Sequence, residues 1–415
     1  MNRRTKLTAL VLAALLCTAM LAGCGGNNNS TTPSDTPVSQ ASTDSGNTNS
    51  TDHNSGTETP SHTDEPSEAP APSSDESTTG EESTPSSSGG LDEITNKNYR
   101  EMDADYTVEN GVVVVNQDGH YRAMELFGGG SGDAYVDSLN ALRSQLDSSI
   151  NIYSMIAPLS CEFYLPANYA DYSAEQKEYF DDVAQRLDGG IRSIDLIDVL
   201  GKHTGEAIYC RTDHHWMPLG AYYAAQAFAN AAGVDFKDLS TFTPQTINGF
   251  VGTMYAFTDG DINIKNDPED FTYHISGNYN ECHTDFYDTS FNFDYTGSYF
   301  KEVGDPQSNA YLTFFGGDEQ IVKIRTNVSN GKKLLIVKDS YGNAEPGYLM
   351  NSFEEIYIVD MRYFNLNLIR FVKDLGITDV LFTMCTFSAF GQNSYKLPDL
   401  LTQSPDEPII DTYNR

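Results

Sequence analysis

From residue 91 onward the apolar positions recur in two alternating rhythms. Ala134 to Leu146 carries Val136, Leu139, Leu142 and Leu146 three or four residues apart, the spacing of one helical face. Ala174 to Leu187 and Leu219 to Ala232 also predict helices, the second opened by Pro218 and closed by Gly233. Short apolar runs at Ile150 to Ile156, Leu334 to Val337, Glu355 to Val359 and Asp379 to Met384 predict strands, and the alternation continues through Asn365 to Leu375. Such runs are buried on both faces of a parallel sheet. Ile194 to Leu200 and Ala207 to Arg211 read as further strand-like pieces, and Tyr106 to Tyr121 as an extended pair. Together they predict an α/β fold with a doubly wound parallel sheet over 96–415. Between about 236 and 330 the texture changes to Tyr, Phe, Asn, Asp, Thr and Gly in short alternating runs, which predicts a β-rich insertion leaving from a loop.

The amino-terminal ninety residues follow neither rhythm. Arg3, Arg4 and Lys6 precede an apolar stretch from Leu7 to Leu21 that is too short and too poorly flanked for a lasting membrane span. It ends in Leu21-Ala22-Gly23-Cys24, which resembles the lipobox of bacterial lipoproteins, so residues 1–24 are expected to be a signal with Cys24 as the lipidated residue. Residues 25–90 contain no aromatic residue, leucine, lysine or arginine, and cannot bury enough apolar surface to offset their ordering entropy. They predict a disordered tether running to about residue 95. As a flexible coil it would span roughly 45 Å.

Charge narrows the partners. The chain has a formal net charge of −34; eleven acids fall in 25–90 and three bases before residue 7, leaving −26 on residues 91–415. A body so acidic, with no basic stripe, excludes nucleic acid as a natural partner. Without Cys17 and Cys24, four cysteines remain: Cys161, Cys210, Cys282 and Cys385. An oxidising exterior permits bridges, and three pairings are open.

Two segments carry the candidate chemistry. Arg211-Thr212-Asp213-His214-His215-Trp216 and Lys338-Asp339-Ser340-Tyr341-Gly342-Asn343 supply an acid, an imidazole and a hydroxyl. A serine hydroxyl needs a base to take its proton and an acid to hold that base in one tautomer. Ser340 follows the Leu334 to Val337 strand, at the edge where open α/β sheets bind ligands. In an extended segment residues i and i+2 share a face, so Asp213 and His215 are expected to enter one cleft while His214 points away. Adjacent histidines beside an aspartate also suit a metal, the competing reading. Asn343 is a candidate oxyanion donor or a turn residue. Arg211 and Arg362 are candidates for a carboxylate or sugar acid, or structural ion pairs. Trp216, the only tryptophan, is a candidate sugar platform or a core residue.

The segments "YCRTDHHWMPLGAYYAAQAF" and "KLLIVKDSYGNAEPGYLMNSFEEIYIVDMRYF" resemble the DHHW proteins of Gram-positive bacteria, themselves similar to SGNH-hydrolase-like polysaccharide O-acetyltransferases of the alginate type. The resemblance covers about residues 110 to 400. It implies an SGNH-hydrolase-like fold with Asp213 as orienting acid, His215 as general base, Ser340 as nucleophile and no cofactor or metal. Lys338 departs from it, standing where many relatives have glycine. The implied function is that of a serine acyltransferase or esterase for O-acyl groups of cell-surface or secreted polysaccharide. It would be lipid-anchored on the outer face of the bacterial cytoplasmic membrane, with its donor delivered by a membrane acyl-donor protein. A noncatalytic glycan-binding surface lipoprotein is the alternative.

Overall fold

The computed structural model describes residues 96–414, so the expected signal, the lipidated Cys24 and the tether lie outside the described residues. Strands β1 (Tyr106–Glu109), β2 (Val112–Gln117) and β3 (His120–Glu125) form a small antiparallel sheet. Asn110-Gly111 and Asp118-Gly119 join them with every φ positive, the conformation two-residue hairpin loops require. The extended pair expected over 106–121 is therefore a three-strand meander.

The central sheet has eight strands in the order β5-β4-β13-β11-β12-β10-β8-β9. β4 (Asn151–Ala157), β5 (Ile191–Ser193), β11 (Lys333–Lys338), β12 (Glu355–Asp360) and β13 (Asp379–Cys385) are mutually parallel. β8 (His283–Tyr287), β9 (Phe293–Gly297) and β10 (Ile321–Arg325) extend it with antiparallel pairing. The residues expected as a β-rich insertion thus complete one side of the main sheet and also contribute a separate hairpin, β6 (Thr243–Phe250) with β7 (Glu269–Ile275).

Both faces of the parallel part are covered. Helix α1 (Asp133–Gln145) brings Tyr135 to Ser154 of β4 at 2.8 Å, whereas Phe228 of a later helix meets the ring of Tyr153 at 5.1 Å. Neighbouring residues of a strand face opposite sides, so the two helices cover opposite faces. Between them in sequence is α2 (Gln176–Arg186); the helix carrying Phe228 is α3 (Pro218–Ala232), with Pro218 in its first turn and Gly233 at φ 64° as its left-handed cap. Two shorter helices, α4 (Leu368–Leu375) and α5 (Leu397–Thr402), pack on one another, and α5 also packs on α1.

Two strand expectations fail. Residues 194–200 form a helical turn, Leu196–Leu200, because the Asp195 carboxylate accepts the amides of Ile197 and Asp198; a side-chain cap overrides the β-branched composition. Residues 207–211 contribute only one bridge, Tyr209 to Trp216, since their backbone turns to deliver the motif. The four described cysteines are unpaired thiols with separate surroundings, Cys161 against Ser173, Cys210 against Trp216, Cys282 against Asn278 and Cys385 against Ser388. No helix among the described residues is long and apolar enough to cross a membrane.

Candidate active site

Strand β11 is buried throughout its apolar run and flanked on both sides by parallel strands, β13 and β12, so its carboxyl end opens inside the parallel part of the sheet. Beyond it Asp339 accepts the amide of Tyr341 at 3.0 Å and that of Cys385, at the end of β13, at 2.9 Å. These bonds pin a 3-10 turn, Ser340–Asn343, against the sheet. Gly342 has to be glycine there: a β-carbon would lie 2.5 Å from Lys338 Cβ and 3.1 Å from Thr383 Cγ2. Lys338 itself is paired elsewhere, its buried ammonium 2.8 Å from Asp360 Oδ2.

The histidine segment is a bent loop held from outside. Glu269 of β7 accepts the amides of Arg211 and Thr212 and the Thr212 hydroxyl, at 2.7 to 2.8 Å to one carboxylate oxygen. Asp213 Oδ1 accepts the His215 amide at 3.1 Å and His215 Nδ1–H at 2.7 Å. Asp213 Oδ2 accepts the amide and hydroxyl of Thr253, both at 2.9 Å. Burial opposes ionisation of Asp213, but the two histidines and these hydrogen bonds outweigh it and hold the carboxyl well below the usual carboxylate range. Gly252 makes this approach possible, since a β-carbon there would lie 2.4 Å from Asp213 Oδ2.

The two segments meet. His215 Nε2 lies 2.9 Å from Ser340 Oγ, although 125 positions separate them in sequence. Because a carboxylate only accepts, His215 Nδ1 carries the hydrogen toward Asp213 and Nε2 presents its lone pair to the serine hydroxyl. Asp213 and His215 are 5% and 7% exposed, while Ser340 is half-buried, so the serine is the more open end of this hydrogen-bonded chain.

His214 does not point away as an extended segment would require. The bend stacks its ring beside His215 at 3.8 Å between centroids, and its Nδ1 lies 2.7 Å from Thr253 Oγ1. Thr253 donates its one hydroxyl hydrogen to Asp213, so His214 Nδ1 must be the donor in that contact. Burial and the neighbouring His215 lower the His214 pKa, favouring the neutral ring. Ligand atoms of Asp213, His214 and His215 do lie within 4.8 Å of one another. Both Asp213 oxygens, both His215 nitrogens and His214 Nδ1 are already hydrogen-bonded to protein groups, and a cation would have to break the contacts that build the relay.

The second-tier candidates have other roles. Arg211 bonds Tyr121 O, Asp267 and Pro268 O, and Arg362 bridges Asp360 and Asp318; both are structural pairs rather than free anion binders. Asn343 is buried and gives its amide hydrogens to Gly317 O at 3.5 Å and Asp318 Oδ1 at 3.2 Å, so it ties the turn to the 317–318 loop instead of aiming at an oxyanion. Trp216 is fully buried, its Nε1–H directed to Tyr341 O at 3.0 Å and Tyr311 Oη at 3.2 Å, which rules out a sugar platform. Gly252, Thr253, Glu269 and Tyr311 escape sequence reasoning. Each lies in the aromatic- and glycine-rich 236–330 stretch without a motif of its own.

The α/β sheet thus brings an Asp-His pair from one loop against a serine in the turn after one of its parallel strands. The chain belongs to the DHHW family, matching the family described as DHHW protein over residues 93–359. A DHHW family protein from Eubacterium siraeum DSM 15702 is 46% identical, with a TM-score of 0.68 over 72% of this chain and 98% of the other. PatB1 of Bacillus cereus, solved with a sulfonyl adduct, is similar in fold at 16% identity and a TM-score of 0.56, over 70% of this chain and 99% of its own. The O-acetyltransferase domain of Pseudomonas putida AlgJ, 14% identical, covers 71% of this chain and 93% of its own at a TM-score of 0.38, too distant a superposition to bear on function. No curated protein matches the chain.

Proposed function

We propose that this protein is an extracytoplasmic serine acyltransferase or esterase acting on O-acyl groups, foremost acetyl, of cell-surface or secreted polysaccharide. The observation that carries the reading is the continuous relay from Asp213 Oδ1 through His215 to Ser340 Oγ, with contacts of 2.7 and 2.9 Å. Ser340 Oγ attacks the acyl carbonyl as its proton passes to His215 Nε2. The imidazolium, held by the anionic Asp213, returns that proton to the departing oxygen as its bond to the acyl carbon breaks. An acyl-Ser340 ester remains. A sugar hydroxyl, by transfer, or water, by hydrolysis, attacks the acyl carbon and gives its proton to the same nitrogen, which passes it to Ser340 Oγ as the ester bond to the serine breaks. A sulfonyl adduct on a protein of like fold is the sort of covalent product that an activated nucleophile forms.

Lipid anchoring through Cys24 rests on the Leu21-Ala22-Gly23-Cys24 sequence. It would hold the domain at the outer face of the cytoplasmic membrane, within reach of a membrane partner protein that would supply the acyl donor for transfer. Reaction of the purified domain with a fluorophosphonate, read by mass spectrometry, tests the chemistry. Stoichiometric modification of Ser340, lost in Ser340→Ala and His215→Ala, is expected; an unreactive serine in folded protein removes the enzymatic reading. Release or transfer of acetyl on O-acetylated glycan then separates esterase from transferase. Metabolic labelling with a fatty acid, lost in Cys24→Ala, tests the anchor.

A further inference from the structure

The imidazole of His215 is gripped on its faces as well as at its edges. Tyr311 lies flat against one face, with centroids 3.8 Å apart and planes within 4°. The ring of His214 covers it from a second direction, also at 3.8 Å but tilted by 37°, and is backed by Phe257. The Tyr311 ring is itself immobilised. Its hydroxyl donates to Tyr341 O at 2.8 Å and accepts Trp216 Nε1–H, while Phe314 and Phe271 stand edge-on to it. The motif tryptophan therefore steadies the ring that steadies the base.

We infer that Tyr311 is a positioning residue of the relay, whose π face holds the His215 ring in line with Ser340 and stabilises the positive charge that ring gains when it takes the serine proton. The inference rests on reading Ser340 as the nucleophile. The physical reason is that an aromatic face carries negative quadrupole density, and a cation against it in a desolvated site is favoured. Asp213 stabilises the same charge from the ring edge. His214 and Tyr341, the other titratable side chains stacked around the imidazole, are neutral neighbours: burial lowers the pKa of His214 and raises that of Tyr341. Tyr311 is thus the flat, uncharged partner matched to the whole ring. It reaches the site from a 3-10 turn, Ala310–Thr313, far from both motifs in sequence.

The test compares Tyr311→Phe, which keeps the ring, with Tyr311→Leu, which removes it, by single-turnover acylation with p-nitrophenyl acetate. Tyr311→Leu should acylate about tenfold more slowly with little change in KM, while Tyr311→Phe stays within about threefold of wild type, the range set by cation–π strengths. In a His215→Ala background the leucine change should have no further effect, as a role exerted through the imidazole requires. Equal rates for all three proteins, equal losses in both variants, or a full leucine penalty without His215 overturns the inference. A readout independent of rate is the proton spectrum of wild-type His215, whose ring protons should lie upfield under the stacked tyrosine; their absence there also overturns it. Failure of the underlying reading looks different, because Ser340→Ala would then acylate as fast as wild type.

Discussion

Gly252→Ala is the sharpest test of how the relay is built, because it alters none of Asp213, His215 and Ser340. A β-carbon at this position would lie 2.4 Å from Asp213 Oδ2, 2.5 Å from its Cβ and 2.8 Å from its Cγ. The whole side chain is against the glycine, so a rotation of the carboxylate tip brings no relief. Ordinary carbon contact needs about 3.5 Å or more, hence a shift of roughly 1 Å. Asp213 cannot give way freely, since its oxygens accept from His215 at 2.7 Å and from Thr253 at 2.9 Å. A 1 Å displacement of a catalytic group costs on the order of 100-fold in rate, and overpacking costs about 1–3 kcal/mol of stability. The assay is the second-order rate of Ser340 modification by a fluorophosphonate, with thermal unfolding in parallel. Gly304→Ala is the control, because a β-carbon there meets nothing within 4 Å. A folded Gly252→Ala protein that reacts at the wild-type rate would refute the argument that close approach of the 252–253 backbone sets the acid.

Asp213→Asn should keep the fold yet slow Ser340 modification by about 10³- to 10⁴-fold, since an amide no longer fixes the donor tautomer of His215; kinetics at constant pH measure it. Thr253→Val removes the hydroxyl bonded to Asp213 Oδ2 and the acceptor of His214 Nδ1–H, and should cost about 1–3 kcal/mol in chemical denaturation and slow modification of Ser340. Glu345, buried behind the turn against Thr383, has its pKa pushed from 4.5 up to about 8 by that burial. The folded state then binds a proton that the unfolded state has lost. Stability is fully present below pH 4.5 and falls as pH rises toward 8, by up to several kcal/mol in order of magnitude. Denaturation at pH 5.5 and 8.5 should show this slope in wild type and a flatter one in Glu345→Gln; equal slopes would count against a neutral Glu345.

Much of this protein is legible in its residue order because the relevant physics is local. Continuous apolar runs announce the parallel strands, period-3.6 spacing with Pro218 and Gly233 brackets a helix, and two polar motifs contain the Asp213, His215 and Ser340 side chains that the fold brings into contact. Where local composition competed with a side-chain cap, as at Asp195, the cap prevailed and a predicted strand became helix. The conformation of His214 was likewise beyond periodicity, because residues 211–215 follow an external template, Glu269, instead of a strand repeat.

Tertiary structure alone decided which polar groups serve the site. Arg211, Arg362 and Asn343 look available in sequence, but folding supplies each with partners that satisfy it, and Trp216 becomes core because its indole N–H finds a buried carbonyl. Conversely Gly252, Thr253 and Tyr311 gain their roles only when the 236–330 stretch folds back on the motif. The reason is one of range: backbone propensity and hydrophobic period act over a few residues, whereas a hydrogen bond or a stacked ring is set by which distant segments burial brings within about 4 Å.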